Sequence, residues 1–176
     1  DVMEKNPLPE SNTESAAQAV AFVEALVAIG LRHCVVSPGS RSTPLVLALQ
    51  RFPEVDCRVI LDERSAAFFA LGVADRTHSP VVLVCTSGTA GANYYPAVIE
   101  ASERGVPLLI LTADRPPELR DCGAGQTIDQ VGLFGKFVRG AVDASVPEGG
   151  KGEAYIASLA LDGYRVSTGV QPGPVH

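Results

Sequence analysis

The chain has 176 residues, 46% of them apolar and 19% charged, with a formal net charge of -6. That length suits one domain or part of a longer protein, and the apolar share supports a sizeable core rather than a disordered segment. The acidic balance, with no basic run, argues against nucleic acid as a partner. The apolar stretches are of strand length, too short to cross a membrane, and no signal-peptide pattern stands at the start.

Residues 1–11 are polar and proline-bearing and read as a flexible leader; residues 12–176 read as one domain. From Asn12 onward, Ala16, Ala19, Val20, Val23, Leu26 and Val27 recur at helical spacing, and Gly30 ends the run. A short strand, Cys34-Val35-Val36, leads into Ser37-Pro38-Gly39-Ser40-Arg41-Ser42 and a helix from Thr43 to Gln50. The unit then repeats. Strand Cys57–Leu61 leads into helix Glu63–Arg76, and strand Val81–Cys85 into the loop Thr86-Ser87-Gly88-Thr89 and a helix ending at Arg104. Strand Pro107–Thr112 leads into Ala113-Asp114-Arg115-Pro116-Pro117. Alternating strands and helices, with apolar strands, predict a doubly wound parallel α/β sheet with helices on both faces. Beyond Asp121 the pattern predicts a short helix at Thr127–Leu133 and a strand at Phe137–Ala144. A glycine-rich turn at Val146–Gly152, a closing helix at Glu153–Thr168 and the start of a further strand at Gly173–His176 follow. A chain that stops on entering a strand is expected to be a fragment.

Cys34, Cys57, Cys85 and Cys122 are widely spaced, with no C-x-x-C, and read as free thiols in a reduced, cytoplasmic compartment. The histidines His33, His78 and His176 are equally scattered, so no zinc site is expected.

In a parallel sheet, the loops after the strands gather on one edge, where α/β proteins bind ligands. Here that edge carries Ser40 and Arg41, Asp62 and Glu63, Thr86 to Thr89, and Asp114 and Arg115. Glu63 sits where an apolar strand meets an alanine-rich helix. An acid there has a simple use at the positive end of the helix dipole, and Asp62 can cap. Arg41 and Arg115 suit a substrate bearing carboxylates, which guanidinium binds as a fork. The alternative is that they cap helices or pair with Asp62 and Asp114. Three familiar signatures fail. Cys85 and Pro38 stand where a nucleophile elbow needs glycine, Ile128 interrupts a dinucleotide fingerprint, and Thr86-Ser87-Gly88-Thr89-Ala90-Gly91 lacks the lysine of a P-loop.

Four stretches taken together resemble one family: Ser37 to Leu45, Asp62 to Gly72, Thr86 to Asn93, and Leu111 to Arg120 continuing to Ile128. The chain is similar to the amino-terminal, pyrimidine-binding domain of thiamine-diphosphate enzymes. Among them it resembles the menaquinone- and phylloquinone-pathway synthases that decarboxylate 2-oxoglutarate and add the succinyl-semialdehyde unit to isochorismate. The run Ser37-Pro-Gly-Ser-Arg-Ser-Thr-Pro44 separates these from acetolactate synthase and its relatives. The motifs span Ser37 to Ile128, and a looser likeness covers Asn12 to His176.

The resemblance implies roles. Glu63 matches the glutamate that hydrogen-bonds N1′ of the cofactor's aminopyrimidine and favours the tautomer that takes the proton from C2. A carboxyl partly out of water holds a proton more readily, which suits it to share one. Ser40, Arg41, Arg115 and Gln126 match positions that contact substrate carboxylates and polar groups. Thr89 and Asn93 match cofactor-facing loop positions, with Thr89 in place of a proline common in relatives. Gly125-Gln126 stands where these synthases commonly read Asn-Gln. The family's diphosphate and its Mg2+ or Mn2+ bind a separate carboxyl-terminal domain, in a homo-oligomer that shares its site between subunits. The isolated chain is therefore expected to be inactive. The alternatives are another thiamine-diphosphate enzyme, of acetolactate-synthase or 2-oxo acid decarboxylase type, or a non-catalytic α/β anion-binding module.

Overall fold

A computed structural model describes residues 13–144 and 152–176. The leader at 1–11 lies outside them, as does the turn expected at Val146–Gly152 up to its last residue, which opens the final helix.

Four strands form the sheet: β1 (His33–Val36), β2 (Asp56–Val59), β3 (Val81–Cys85) and β4 (Leu108–Thr112). All pair in parallel, in the order β2-β1-β3-β4. The helices are α1 (Thr13–Ala28), α2 (Thr43–Leu49), α3 (Glu63–Thr77), α4 (Tyr95–Arg104) and α5 (Gly152–Ser167). The period-two alternation of the strands divides the core. Val35, Leu83 and Ile110 face α3 and α4 through Ala70 and Ala97. Cys34, Val82 and Leu109 face α1, α2 and α5 through Val23, Leu49 and Ala160. The expected doubly wound architecture is thus formed. In α3, Ala66, Ala67, Ala70 and Ala74 are buried and bring the helix close to the sheet.

The strand order places the topological switch between β1 and β3. Connections leave to opposite sides there and open a crevice outside the strand ends. The loops after β1 and β3, which carry Arg41 and Thr89, flank this point.

Several expectations need correction. β2 is an edge strand rather than a covered one, with Val59 62% exposed, and it ends there, so Leu61, expected in the strand, lies past it and is 78% exposed. Apolar composition alone does not separate an edge strand from a central one. Thr127–Leu133 is not helical: it is irregular through Gln130 and then enters a turn. Asp129 Oδ1 accepts the Val131 N–H (3.0 Å), and Gly132 has a φ of 73°, so local side-chain bonding displaces the helical ladder. Phe137–Ala144 is not a regular strand. Its first residue closes a 3-10 turn, Gly135–Phe137, packed edge-on against Tyr95. Arg139, Gly140 and Val142 do exchange backbone hydrogen bonds with Pro174 and His176. Val175 in turn bridges Leu109 in parallel, so the predicted terminal strand begins beside β4.

Cys34 and Cys57 are joined as a disulfide, contrary to the expectation of free thiols. They are in-register partners on β1 and β2 with Cα atoms 4.8 Å apart, a proximity created by strand pairing and invisible in their spacing. Cys85 and Cys122 are free. Among the described residues no helix is long and apolar enough to cross a membrane.

Candidate functional site

The four loops at the carboxyl edge are tied to one another largely through main-chain groups. Ser37, first after β1, donates its N–H to Val84 O (2.8 Å) and its hydroxyl to Ile60 O (2.9 Å). It thereby spans β3 and the end of β2. Gly39 lies against Thr86, and a Cβ on Gly39 would stand 2.4 Å from Thr86 Cβ. Only glycine permits that approach across the switch point. On the far side, Ser87 Oγ donates to Gln126 O (3.0 Å), and the Gly88 N–H donates to Gln130 Oε1 (2.8 Å). Arg115 Nη2 donates to Gly125 O (3.1 Å). The loops after β1, β3 and β4 and the turn around Gln126 thus make one continuous floor.

Glu63 opens α3. The cap is Asp62, whose Oδ1 accepts the Ser65 N–H at 2.8 Å. The Asp62 carboxyl lies below the ordinary carboxylate value, first through the Ser65 side-chain hydroxyl and then through this backbone bond. Glu63 is half-buried, and its carboxylate makes no hydrogen bond or ion pair among the described residues. Behind it stand Cys85 and Tyr94, both fully buried. Burial pushes the Cys85 thiol up to about 12, and the negative charge of Glu63 adds to the rise. Burial likewise raises Tyr94, with Glu63 contributing. Cys85 is therefore a packing residue and not a thiolate.

Ser40 and Arg41 lie on a 3-10 turn, Ser40–Ser42, and both are exposed. The Arg41 guanidinium has no ion-pair partner among the described residues, so the expected alternative of pairing with Asp62 is not formed. Neither is the pairing of Arg115 with Asp114. Asp114 Oδ1 accepts the Arg115 backbone N–H (2.7 Å), while its carboxylate pairs with Arg120 (3.0 Å). Arg120 also binds Asp143 through two hydrogen bonds, 2.7 and 3.1 Å. Thr89 and Asn93 are exposed on the 3-10 stretch Gly88–Tyr94, and Asn93 Nδ2 reaches Thr89 O at 3.4 Å. Gln126 is exposed with a φ of 60°, a left-handed conformation that turns the chain back onto Ser87.

The structure therefore joins Arg115 to Gly125, the residue before Gln126, and Thr89 to Asn93. Ser40 and Arg41, neighbours on one turn, and Glu63 share the edge, and among the described residues no side-chain hydrogen bond or ion pair joins them to those groups. Sequence reasoning placed Ser37 and Ser87 in the edge loops without giving them a role, and it overlooked Gln130, the third residue of the floor. For the serines a signal existed, since a small polar residue just after a buried strand can answer open backbone groups. Gln130 carried none. Among the described residues no group of three His, Cys, Asp or Glu side chains could hold a metal ion. A groove of about 400 Å3, lined by Ala16, Val20, Glu24, Arg51 and Glu153 among others, involves none of these loops.

A family profile described as thiamine pyrophosphate enzyme, N-terminal TPP binding domain, matches residues 17–133. The chain is 54% identical over 160 residues to the 2-succinyl-5-enolpyruvyl-6-hydroxy-3-cyclohexene-1-carboxylate synthase of Trichormus variabilis, covering 90% of this chain and 27% of that protein. It is 51% identical over 156 residues to the synthase of that name from Dechloromonas aromatica, covering 89% of the chain and 29% of the relative. With the Crocosphaera subtropica synthase it shares 63% over 126 residues, 72% of the chain and 22% of the relative. The chain spans about a quarter of the length of these relatives.

Proposed function

Because the chain belongs to the N-terminal TPP-binding domain family of thiamine pyrophosphate enzymes, we propose that it supplies the pyrimidine side of the active site of a 2-succinyl-5-enolpyruvyl-6-hydroxy-3-cyclohexene-1-carboxylate synthase. The reaction is loss of carbon dioxide from 2-oxoglutarate and addition of the succinyl-semialdehyde unit to isochorismate, in menaquinone or phylloquinone synthesis. Sequence identity above 50% to synthases of that name supports this choice over other thiamine-diphosphate enzymes.

One observation of the fold carries the reading. Asp62 does the capping of α3, which leaves the neighbouring carboxylate of Glu63 uncommitted at the strand end. A half-buried, unpaired acid in front of the buried Cys85 and Tyr94 suits a flat ring whose nitrogen needs a carboxyl partner. The residues present therefore fit the aminopyrimidine end of thiamine diphosphate. When bound, that cofactor supplies an acidic carbon that adds to 2-oxo acids and an electron sink for their decarboxylation. Glu63 would hold N1′ and share a proton with it, while Thr89 and Asn93 would face the ring from the loop after β3.

Ser40, Arg41, Arg115 and Gln126 would receive the substrates. 2-Oxoglutarate and isochorismate each carry two carboxylates, and Arg41 offers an unpaired fork. Arg115 keeps part of its fork for substrate, since Gly125 O engages Nη2. The diphosphate and its Mg2+ or Mn2+ belong, in this reading, to a further domain of the longer polypeptide. The site is completed between subunits of a homo-oligomer in the cytoplasm, without membrane or nucleic acid. A reducing compartment would hold Cys34 and Cys57 as two thiols at the same positions.

The deciding experiment assays the full-length polypeptide, with thiamine diphosphate and Mg2+, on 2-oxoglutarate plus isochorismate against pyruvate alone. Turnover only with the first pair is expected. Acetolactate formation from pyruvate would move the protein to a different branch. No turnover with either, beside intact folding, would leave an anion-binding module.

A further inference from the structure

Gln130 is 4% exposed, and both ends of its amide are engaged. Oε1 accepts the Gly88 N–H at 2.8 Å. Nε2 donates to Thr112 Oγ1 and to Ala113 O, each at 3.1 Å. One side chain thus clamps the loop after β3 to the end of β4. Gly88 sits under constraint at that point. Its φ is 81°, and a Cβ there would meet Gln126 O at 3.1 Å. The residue before it, Ser87, bonds that same carbonyl. The position of Gln126 over the floor therefore follows from where Gly88 is held. Thr112 Oγ1 also bonds His176 Nε2 at 2.8 Å, which extends the network to the segment beside β4.

We infer that Gln130 is a positioning residue for substrate binding: it fixes Gly88, and through Gly88 and Ser87 the backbone that presents Gln126 and, at Gly125 O, the Arg115 guanidinium. This rests on the function proposed above, in which Gln126 and Arg115 receive substrate. Beside the backbone bond from the Ala113 N–H to Cys85 O, no other side-chain hydrogen bond among the described residues joins the loop after β3 to the end of β4. An amide is suited to it because it accepts from an N–H and donates to a carbonyl at once. Methionine fills the space with neither capacity. Glutamate keeps the acceptor and loses the donors.

The test uses the full-length polypeptide with Gln130→Met and Gln130→Glu, each checked for folding by thermal melt. Two readouts are taken: hydrogen exchange at the Gly88 amide, and kcat and KM with 2-oxoglutarate and isochorismate at saturating cofactor. In Gln130→Met the Gly88 amide should exchange about tenfold faster or more, and KM should rise about tenfold, the scale of one lost buried hydrogen bond. The kcat should stay within about threefold, because Glu63 stands outside the clamp. Gln130→Glu should keep Gly88 protected and show a smaller rise in KM. Should the methionine variant fail to fold, the glutamate variant decides alone. Protected Gly88 with raised KM supports the clamp, and unchanged KM overturns it. A fall in kcat that tracks the folded fraction, with KM unchanged, would make Gln130 a stabilising residue only. An inactive wild type would sink the proposed function instead, and Gly88 exchange would then judge the clamp by itself.

Discussion

Asp62 and Glu63 are adjacent acids with separate duties: Asp62 accepts the Ser65 N–H at 2.8 Å and caps α3, while Glu63 is bound to nothing among the described residues. The pair allows stability and chemistry to be tested one residue apart. Asp62→Ala should cost about 1 kcal/mol of folding stability, the usual loss for an N-cap. Glu63→Gln should leave the melt nearly unchanged. In the full-length polypeptide it should slow hydrogen–deuterium exchange at C2 of bound thiamine diphosphate by roughly a hundredfold to ten-thousandfold. Wild-type exchange with a lowered melting point in Glu63→Gln would reverse the assignment.

Gly39→Ala should destabilise the domain, because the new methyl would stand 2.4 Å from Thr86 Cβ. Overpacking of this kind costs about 1–3 kcal/mol. Thr86→Ser cannot relieve it, since the Cβ remains. Thr86→Gly should recover part of the loss, so a double-mutant cycle by urea unfolding should give a favourable coupling. Additive effects would mean that the two loops do not meet as closely as described.

Arg41→Ala and Arg115→Ala should each raise KM for a carboxylate substrate by roughly tenfold to a hundredfold, equivalent to about 1.5–3 kcal/mol. Lysine should rescue Arg41 only in part, for want of the planar fork. At position 115 it should rescue less, because Arg115 also spends one arm on Gly125 O. Steady-state kinetics at saturating cofactor give the answer, and two unaltered KM values would return both arginines to structural duty.

Acid should weaken the fold in two steps. Burial holds the His176 imidazole below its ordinary value of 6.5, against the pull of Asp114 and Asp143. With the folded pKa depressed, the unfolded chain binds more protons in that window, so stability falls as pH drops below about 6.5. The second step comes lower. Asp143 is held below 3.8 mainly by its hydrogen bond to Arg120, so its contribution is present above that value and lost as pH falls further. Melting temperatures between pH 7.5 and 5.5 should therefore decline, and His176→Gln should flatten that decline. An identical slope in the variant would place the titration elsewhere.

Most of the sheet was legible in the sequence because the buried strands are continuous apolar runs bounded by turn residues. Val81–Cys85 was read to the residue. Failures cluster where neighbours outside the local stretch decide the outcome. The exposure of Val59 depends on β2 being the edge strand. The pairing of Cys34 with Cys57 depends on register. Thr127–Leu133 was read as a short helix, but Gln130 spends its amide on the end of β4 and on the loop after β3, 18 and 42 positions away. The same division holds at the edge. Residues with distinctive chemistry, such as the exposed Arg41 and the half-buried Glu63, stood out from their types. The serines and the glutamine beneath them look like ordinary polar residues until their partners are in view.

Those partners are mostly peptide carbonyls: Ile60 O for Ser37, Gln126 O for Ser87, Gly125 O for Arg115 and Ala113 O for Gln130. A carbonyl survives any substitution of its own side chain. The platform can therefore stay fixed while Ser40, Thr89 and Asn93, which project above it, are exchanged. For protein engineering this separates two kinds of position. If the proposed function holds, libraries at Ser40, on the substrate side, should explore new 2-oxo acids at little cost in stability, whereas the platform residues are best left alone.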